Sequence, residues 1–154
     1  MEIKKCTMDR FYVIGKEGST DEGEGFVARL WKEANADFGQ IADLVLRDEQ
    51  GLPVGIWGLM TDFSRSYAPW EEGFTKGLYL AGAQVAFDAV PPEGWVKWES
   101  PAYEFIYVQS EGPQTVQKVL DYMEQNALFL CGAIYDHSCP KDGKDYMFFP
   151  IKRL

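Results

Sequence analysis

Three groups of residues in this chain have types and spacing that could do chemistry. Glu104 stands inside the apolar run Tyr103–Val108, where an unpaired carboxylate is costly. Such a residue serves as counter-charge to a bound cation, or as a general acid or base with a raised pKa; strand alternation equally allows it to face solvent. Asp136 lies beside His137, the only histidine, but adjacent strand residues point to opposite faces, which argues against their acting as a catalytic pair. The third group is aromatic. Phe, Trp and Tyr make up 15% of the chain and five of them are tryptophans, which suits either ordinary sheet packing or a cage for a flat, cationic molecule. Trp31 on a helix stripe, and Trp57, Tyr79, Tyr107, Tyr135, Tyr146 and Phe148 on strands, are the candidate walls of such a cage. Asp62, Arg65 and Asp88 are expected to be solvated.

Other chemistries lack their residues. There is no GxSxG, P-loop, HExxH, or GxGxxG with a following acid. One histidine provides no metal set, so neither metal nor cofactor is expected. Cys6, Cys131 and Cys139 are an odd set without CxxC spacing, which reads as free thiols in a reducing cytosol. The net charge of −9 disfavours nucleic acid, which requires a positive footprint, and anionic membrane surfaces; it favours cationic ligands only weakly. Met1–Arg10 is polar and mixed in charge, unlike a signal peptide, and no apolar run approaches membrane-spanning length. The expectation is a soluble cytoplasmic protein.

Positioning these residues requires a scaffold, and the chain describes one twice. Arg10–Gly18, Val54–Met60 and Gly77–Phe87 read as strands. After the first of them, Phe26, Leu30, Ala34, Phe38, Ile41 and Val45 recur at helical spacing, with a break or kink expected near Asn35–Gly39. Tyr103–Gln109, Ala133–Ser138 and Asp145–Lys152 repeat the strands, and Val116, Val119, Leu120, Met123 and Ala127 repeat the helix stripe. The order β-α-β-β, twice, predicts an α+β fold: tandem repeats forming one antiparallel sheet, with two helices and a groove at the pseudo-twofold seam. Asp88–Gly94 is too short a linker to separate domains, so residues 1–154 are read as one. Trp95–Glu99 reads as a short lead-in strand. Thr61–Lys76, carrying Phe63, Tyr67 and Trp70, is either a packed flap or a lid.

The run Ser100-Pro-Ala-Tyr-Glu-Phe-Ile-Tyr-Val-Gln-Ser-Glu-Gly-Pro113 resembles the PA-x-x-aromatic … G-P segment of the gyrase-inhibitor-like (GyrI-like) proteins, which include the effector-binding domains of AraC-type and related multidrug-sensing regulators. Phe148-Phe-Pro-Ile-Lys152 is similar to that family's closing strand, and Leu30-Trp31 with Gly77-Leu-Tyr-Leu-Ala-Gly82 fit its first half. The resemblance spans nearly the whole chain and implies a stand-alone small-molecule-binding version of the domain. Many members carry an acid on the last strand four positions before the Pro. Here that position is Tyr146, which leaves Glu104, Glu99 and Asp136 as the substitutes.

The function implied is binding of a lipophilic, cationic drug-like molecule in an aromatic groove, for sensing or sequestering xenobiotics, with Glu104 as counter-charge. The resemblance also implies a hydrolase alternative for reactive cyclopropanoid compounds, with Glu104 activating water and Tyr107 or Tyr146 donating to the leaving group. A second alternative is an inhibitor or modulator of a basic protein partner.

Overall fold

A computed structural model describes residues 1–154. Eight strands form one antiparallel sheet: β1 (Lys4–Met8), β2 (Phe11–Ser19), β3 (Ile56–Thr61), β4 (Leu78–Val85), β5 (Val96–Ser100), β6 (Tyr103–Gln109), β7 (Tyr135–Ser138) and β8 (Asp145–Arg153). Two helices, α1 (Phe26–Ala36) and α3 (Thr115–Gln125), follow β2 and β6, and α2 (Glu71–Phe74) is a single distorted turn. The strand order is β1-β6-β8-β7-β3-β4-β2-β5. The halves β2-α1-β3-β4 and β6-α3-β7-β8 therefore meet at the β3–β7 seam, where Gly58 lies opposite Asp136. This is the tandem α+β architecture that the order of elements predicts.

The additional strand is β1. It sits in the polar opening segment Met1–Arg10, where a half-exposed edge strand leaves no apolar alternation to read. Its pairing shapes the sheet. Met8 lies opposite Tyr103, and Phe11, three residues on, lies opposite Ser100 three residues back. One register thus runs from Lys4↔Tyr107 to Gly15↔Val96. The segments β1–β2 and β5–β6 are two long antiparallel strands, each bent at a two-residue break. Pro101, which has no N–H to offer a ladder, lies in one of those breaks. Because β1 and β5 stand at opposite ends of the strand order, these two connections draw the ends together and curl the sheet. Gly15 and Gly82, opposite one another on β2 and β4, allow the approach: a Cβ on either would meet the other strand's backbone at 2.4 and 2.1 Å.

The curl leaves an inner face filled with rings. Trp57 packs against Phe11 at 4.9 Å, Phe148 at 5.1 Å and His137 at 4.3 Å between ring centroids. Tyr135 is buried with its hydroxyl 2.9 Å from Ser100 Oγ. The outer face carries the helices. Phe26, Leu30 and Ala34 bury the stripe of α1 over β2 and β4, and Val119 and Met123 bury that of α3 against Ile106, Ile134 and Phe149. The first helix ends at Ala36, within the expected break; Ile41 and Val45 remain buried in the turns beyond it.

The segment between β3 and β4 is divided. Its first part is pinned rather than solvated. Asp62 is 5% exposed and accepts hydrogen bonds from Thr61 Oγ1, from Ser64 Oγ and from the backbone and hydroxyl of Ser66. Neutral-side-chain donors replace the water that Asp62 was expected to keep. Ala133 N–H donates to Tyr67 O at 2.8 Å, and Arg65 forms two hydrogen bonds to Glu17, at 2.8 and 2.7 Å. Burial alone would raise the Asp62 pKa, but these donors lower it to about 2. Its stabilising contribution is complete above the ordinary aspartate pKa and is lost as pH falls toward about 2. Asp62→Asn is expected to cost about 1–2 kcal/mol at pH 7, read by urea denaturation, and the gap from wild type should narrow near pH 2. An unchanged midpoint at pH 7 would show that the donor cluster does not anchor the loop.

Candidate functional site

On the outer face the two helices stand apart over the seam and leave a groove. Its floor follows from alternation. Residues Ile56, Gly58 and Met60 of β3 point outward, as do Ile134 just before β7, Asp136 and Ser138 of β7, and Asp145 and Met147 of β8. The main cavity measures about 520 Å³ and is walled by Trp31, Asn35, Tyr79, Asp136, Asp145 and Tyr146 among others.

Asp136 is the centre of this cavity. Tyr79 donates its hydroxyl to Asp136 Oδ2 at 2.8 Å, and the Trp31 indole N–H donates to Tyr79 Oη at 3.0 Å. This relay runs from α1 through β4 to β7. It crosses β3 at Gly58, where a Cβ would lie 1.9 Å from the Tyr79 hydroxyl oxygen. Glycine at 58 therefore has a steric reason: it is the gap through which Tyr79 reaches the seam. Tyr79 is further fixed by Phe26 and Trp70, each with its ring 6.5 Å away.

Burial pushes the Asp136 carboxyl up to about 6; the Tyr79 hydrogen bond restrains the rise and the nearby Asp145 adds to it. Burial and the Asp136 charge hold Tyr79 well above its ordinary value, so its proton stays in place as a donor. The site thus presents a carboxylate poised near neutrality, with one oxygen fixed by a phenol and aromatic rings on its flanks.

The candidate residues separate by face. Trp31 and Tyr79 line the groove, while Tyr146 packs with the inner cluster beside Tyr107 and borders the groove only at its end. Trp57, Tyr135 and Phe148 belong to the inner cluster on the opposite face of the sheet, because a single step along a strand changes the face. Tyr107 stacks on Phe148 at 4.8 Å on that same inner side and borders a separate hollow of about 340 Å³ near the N-terminus. Glu104 lies outside the groove: at the far end of β6, opposite Thr7 of β1, it pairs with Lys5 at 3.5 Å. Of the three substitutes for the acid missing at Tyr146, Asp136 is the one that lines the groove, together with Asp145. Tyr146 itself donates to Asp142 at 2.5 Å at the groove's end. His137 turns to the inner face, and burial holds its pKa below the ordinary value. The sequence offered both Asp136 and Tyr79 as candidates, but nothing in its periodicity signalled that the two would meet.

No family model matches the chain, and no curated protein matches its sequence. Solved structures do. The structure of SAV2435 bound to tetraphenylphosphonium aligns with a TM-score of 0.66 at 17% identity, over 99% of this chain and 94% of that one. The C-terminal domain of EcmrR aligns at 0.63 with 12% identity, over 99% and 98%. A hydrolase from Listeria innocua aligns at 0.51 with 14% identity, over 98% and 92%. At the level of the fold, the chain has the architecture of the GyrI-like effector-binding domains. No helix is long and apolar enough to cross a membrane.

The raised pKa of Asp136 has a consequence for stability. The protonated form favours the fold, so the contribution is complete below the unfolded aspartate pKa and is lost as pH rises through about 6. Asp136→Asn keeps an acceptor for Tyr79 and removes the part-buried charge. It is expected to raise stability at pH 7.5 by about 1–3 kcal/mol and to change it little at pH 4, as read by thermal melts at both pH values. A loss of stability at pH 7.5 would show that the ionised carboxylate is a net stabiliser.

Proposed function

We propose that the chain binds a lipophilic cationic small molecule in the groove between α1 and α3, with Asp136, held by the Tyr79 hydroxyl, as counter-charge and Trp31 and Tyr146 as aromatic surfaces, in the sensing or sequestration of xenobiotics within the cell. The observation that carries this reading is a part-buried carboxylate that faces a cavity of about 520 Å³ with no Lys or Arg among the residues lining it. An ionised acid in such surroundings is costly, and a cation entering the groove relieves that cost. Ring faces add about 0.5–2 kcal/mol each through cation–π attraction. The fold shared with a protein solved with tetraphenylphosphonium supports the same reading.

The hydrolase alternative keeps one foothold. Its two carriers, an acid and a tyrosine, meet in the groove as Asp136 and Tyr79 at 2.8 Å, whereas Glu104 is engaged with Lys5 outside it. Turnover of a strained-ring electrophile by the wild type, abolished in Asp136→Asn, would move the site to that reading.

Binding should follow the charge of Asp136. Tyr79, His137, Asp145 and Tyr146 are the other titratable side chains lining the cavity; Tyr79 keeps its proton, and burial holds the His137 pKa below its ordinary value. Affinity for a permanently charged dye is expected to fall roughly tenfold per pH unit below the pKa of the acid, which lies near 6. Asp136→Asn should lower it at least tenfold at pH 7.5 and remove the pH dependence. Calorimetric titration with tetraphenylphosphonium and a neutral isostere from pH 5 to 8 measures both effects. Equal affinity for the two ligands in the wild type would rule out the counter-charge.

A further inference from the structure

Beside the groove, on the same outward face of the sheet, lies a second chamber, and its chemistry specifies the ligand more closely. Along the outward face of the seam the residues change character within two steps of strand, about 7 Å. At one end Ser138 lies opposite Asp145, and Ser138 Oγ donates to its carboxylate at 2.8 Å. In the middle Asp136 lies between Gly58 and Met147. Two residues beyond Gly58 on β3, and two residues before Asp136 in the chain, stand Met60 and Ile134. There a chamber of about 150 Å³ opens, lined only by Met60, Trp70, Phe74, Val116, Ile134 and Met147. A cavity of about 150 Å³ with apolar walls accommodates a benzene-sized group, and methionine walls adapt to its outline.

The outer wall of this chamber is built at a conformational cost. Trp70 is pinned by donating its indole N–H to Leu78 O at 2.9 Å. Glu72, Gly73 and Phe74 then adopt positive φ angles of 51°, 70° and 67° in succession. Left-handed backbone is unfavourable for an aromatic residue, and strain of this kind gathers where a side chain must be held for a purpose. Here it holds Phe74 against the chamber while leaving it 37% exposed.

The carboxylate supplies the last specification. Tyr79 is the one side chain that donates to Asp136, through Oδ2. The remaining acceptor capacity suits an N–H bond from the ligand, because a charge-assisted hydrogen bond is stronger than contact with a shielded cation. We propose that the groove selects an elongated primary or secondary arylalkylammonium: the ring enters the chamber between Met60, Met147 and Phe74, the ammonium donates to Asp136, and any polar remainder runs toward Ser138 and Asp145. This rests on the cation-binding reading above and narrows it. A compact cation with four aryl groups places one ring in the chamber and sets others against Ser138 and Asp145, where polar groups would be desolvated without partners.

The test is calorimetric titration of the full chain at pH 7.5 with 3-phenylpropylamine, propylamine, N,N,N-trimethyl-3-phenylpropylammonium and tetraphenylphosphonium. The phenyl amine is expected to bind at least roughly tenfold more tightly than propylamine, as burial of one ring implies, and more tightly than its trimethylated form. Val116→Phe, which fills the chamber from α3, should erase the ring's advantage and leave propylamine unchanged. Phe74→Ala, on an exposed loop, should reduce that advantage without risk to the core. A ring advantage that survives both variants overturns the chamber assignment. Tighter binding of the trimethylated form overturns the N–H preference. Tetraphenylphosphonium binding that depends on Asp136, with no amine binding, sinks this inference and leaves the cation reading standing. Binding of no cation at all, or indifference to Asp136→Asn, removes both.

Discussion

The curl of the sheet is the constraint from which the rest of this structure follows. Two long strands, Lys4–Ser19 and Val96–Gln109, run antiparallel in one register and bend together at Asp9–Arg10 and Pro101–Ala102. A flat sheet cannot satisfy that pairing, since the same strands also hold β8 and β4 on their other edges. The bend forces an inner surface too small for helices, and aromatic rings fill it. Both helices are therefore left to the outer face, one per half, and the strip of sheet between them is uncovered. The groove is what a curled eight-stranded sheet with only two full helices leaves open.

Within that strip the arrangement of polarity is economical. The seam strands β3 and β7 share the short register Ile56↔Ser138 to Gly58↔Asp136, so a single outward residue on each decides the chemistry of the floor. Gly58 contributes no side chain, and that lack admits Tyr79. Asp136 contributes a charge, which the relay from Trp31 and Tyr79 fixes in direction but does not neutralise. The raised pKa of Asp136 follows from its surroundings. Burial disfavours the ionised acid, and the protein contains no cation beside it. Under the proposed function, stability and binding oppose each other at this residue, a conflict expected at functional sites rather than in a structural core.

Much of the scaffold was legible because long apolar stripes report their own period. Phe26, Leu30 and Ala34 marked α1, and Val119 and Met123 marked α3. The repetition of β-α-β-β was legible for the same reason, and it alone implied a seam and a groove. The strand β1 was not, because Lys4, Lys5 and Thr7 face solvent on an edge and only pairing with β6 gives them a structure. The aromatics misled in a specific way. Trp57 and Tyr135 lie on the seam strands, as expected of groove residues, yet they occupy the face that the curl closes.

Sequence by itself determined the inventory: an acidic chain rich in rings, two halves of like order, and a few acids that had to be buried or paired. Alternation also determined that Asp136 and His137 face opposite ways. Which face is the groove was decided only in three dimensions, because period-2 patterning distinguishes two faces without saying which one the helices leave open. The choice of Asp136 over Glu104 has the same origin. Both are carboxylates on interior strands of the sheet, and what separates them is a neighbour distant in sequence: Lys5 comes to one through the pairing of β1 with β6, and Tyr79 comes to the other through the gap at Gly58. Such contacts depend on strand order and register, which local sequence does not encode.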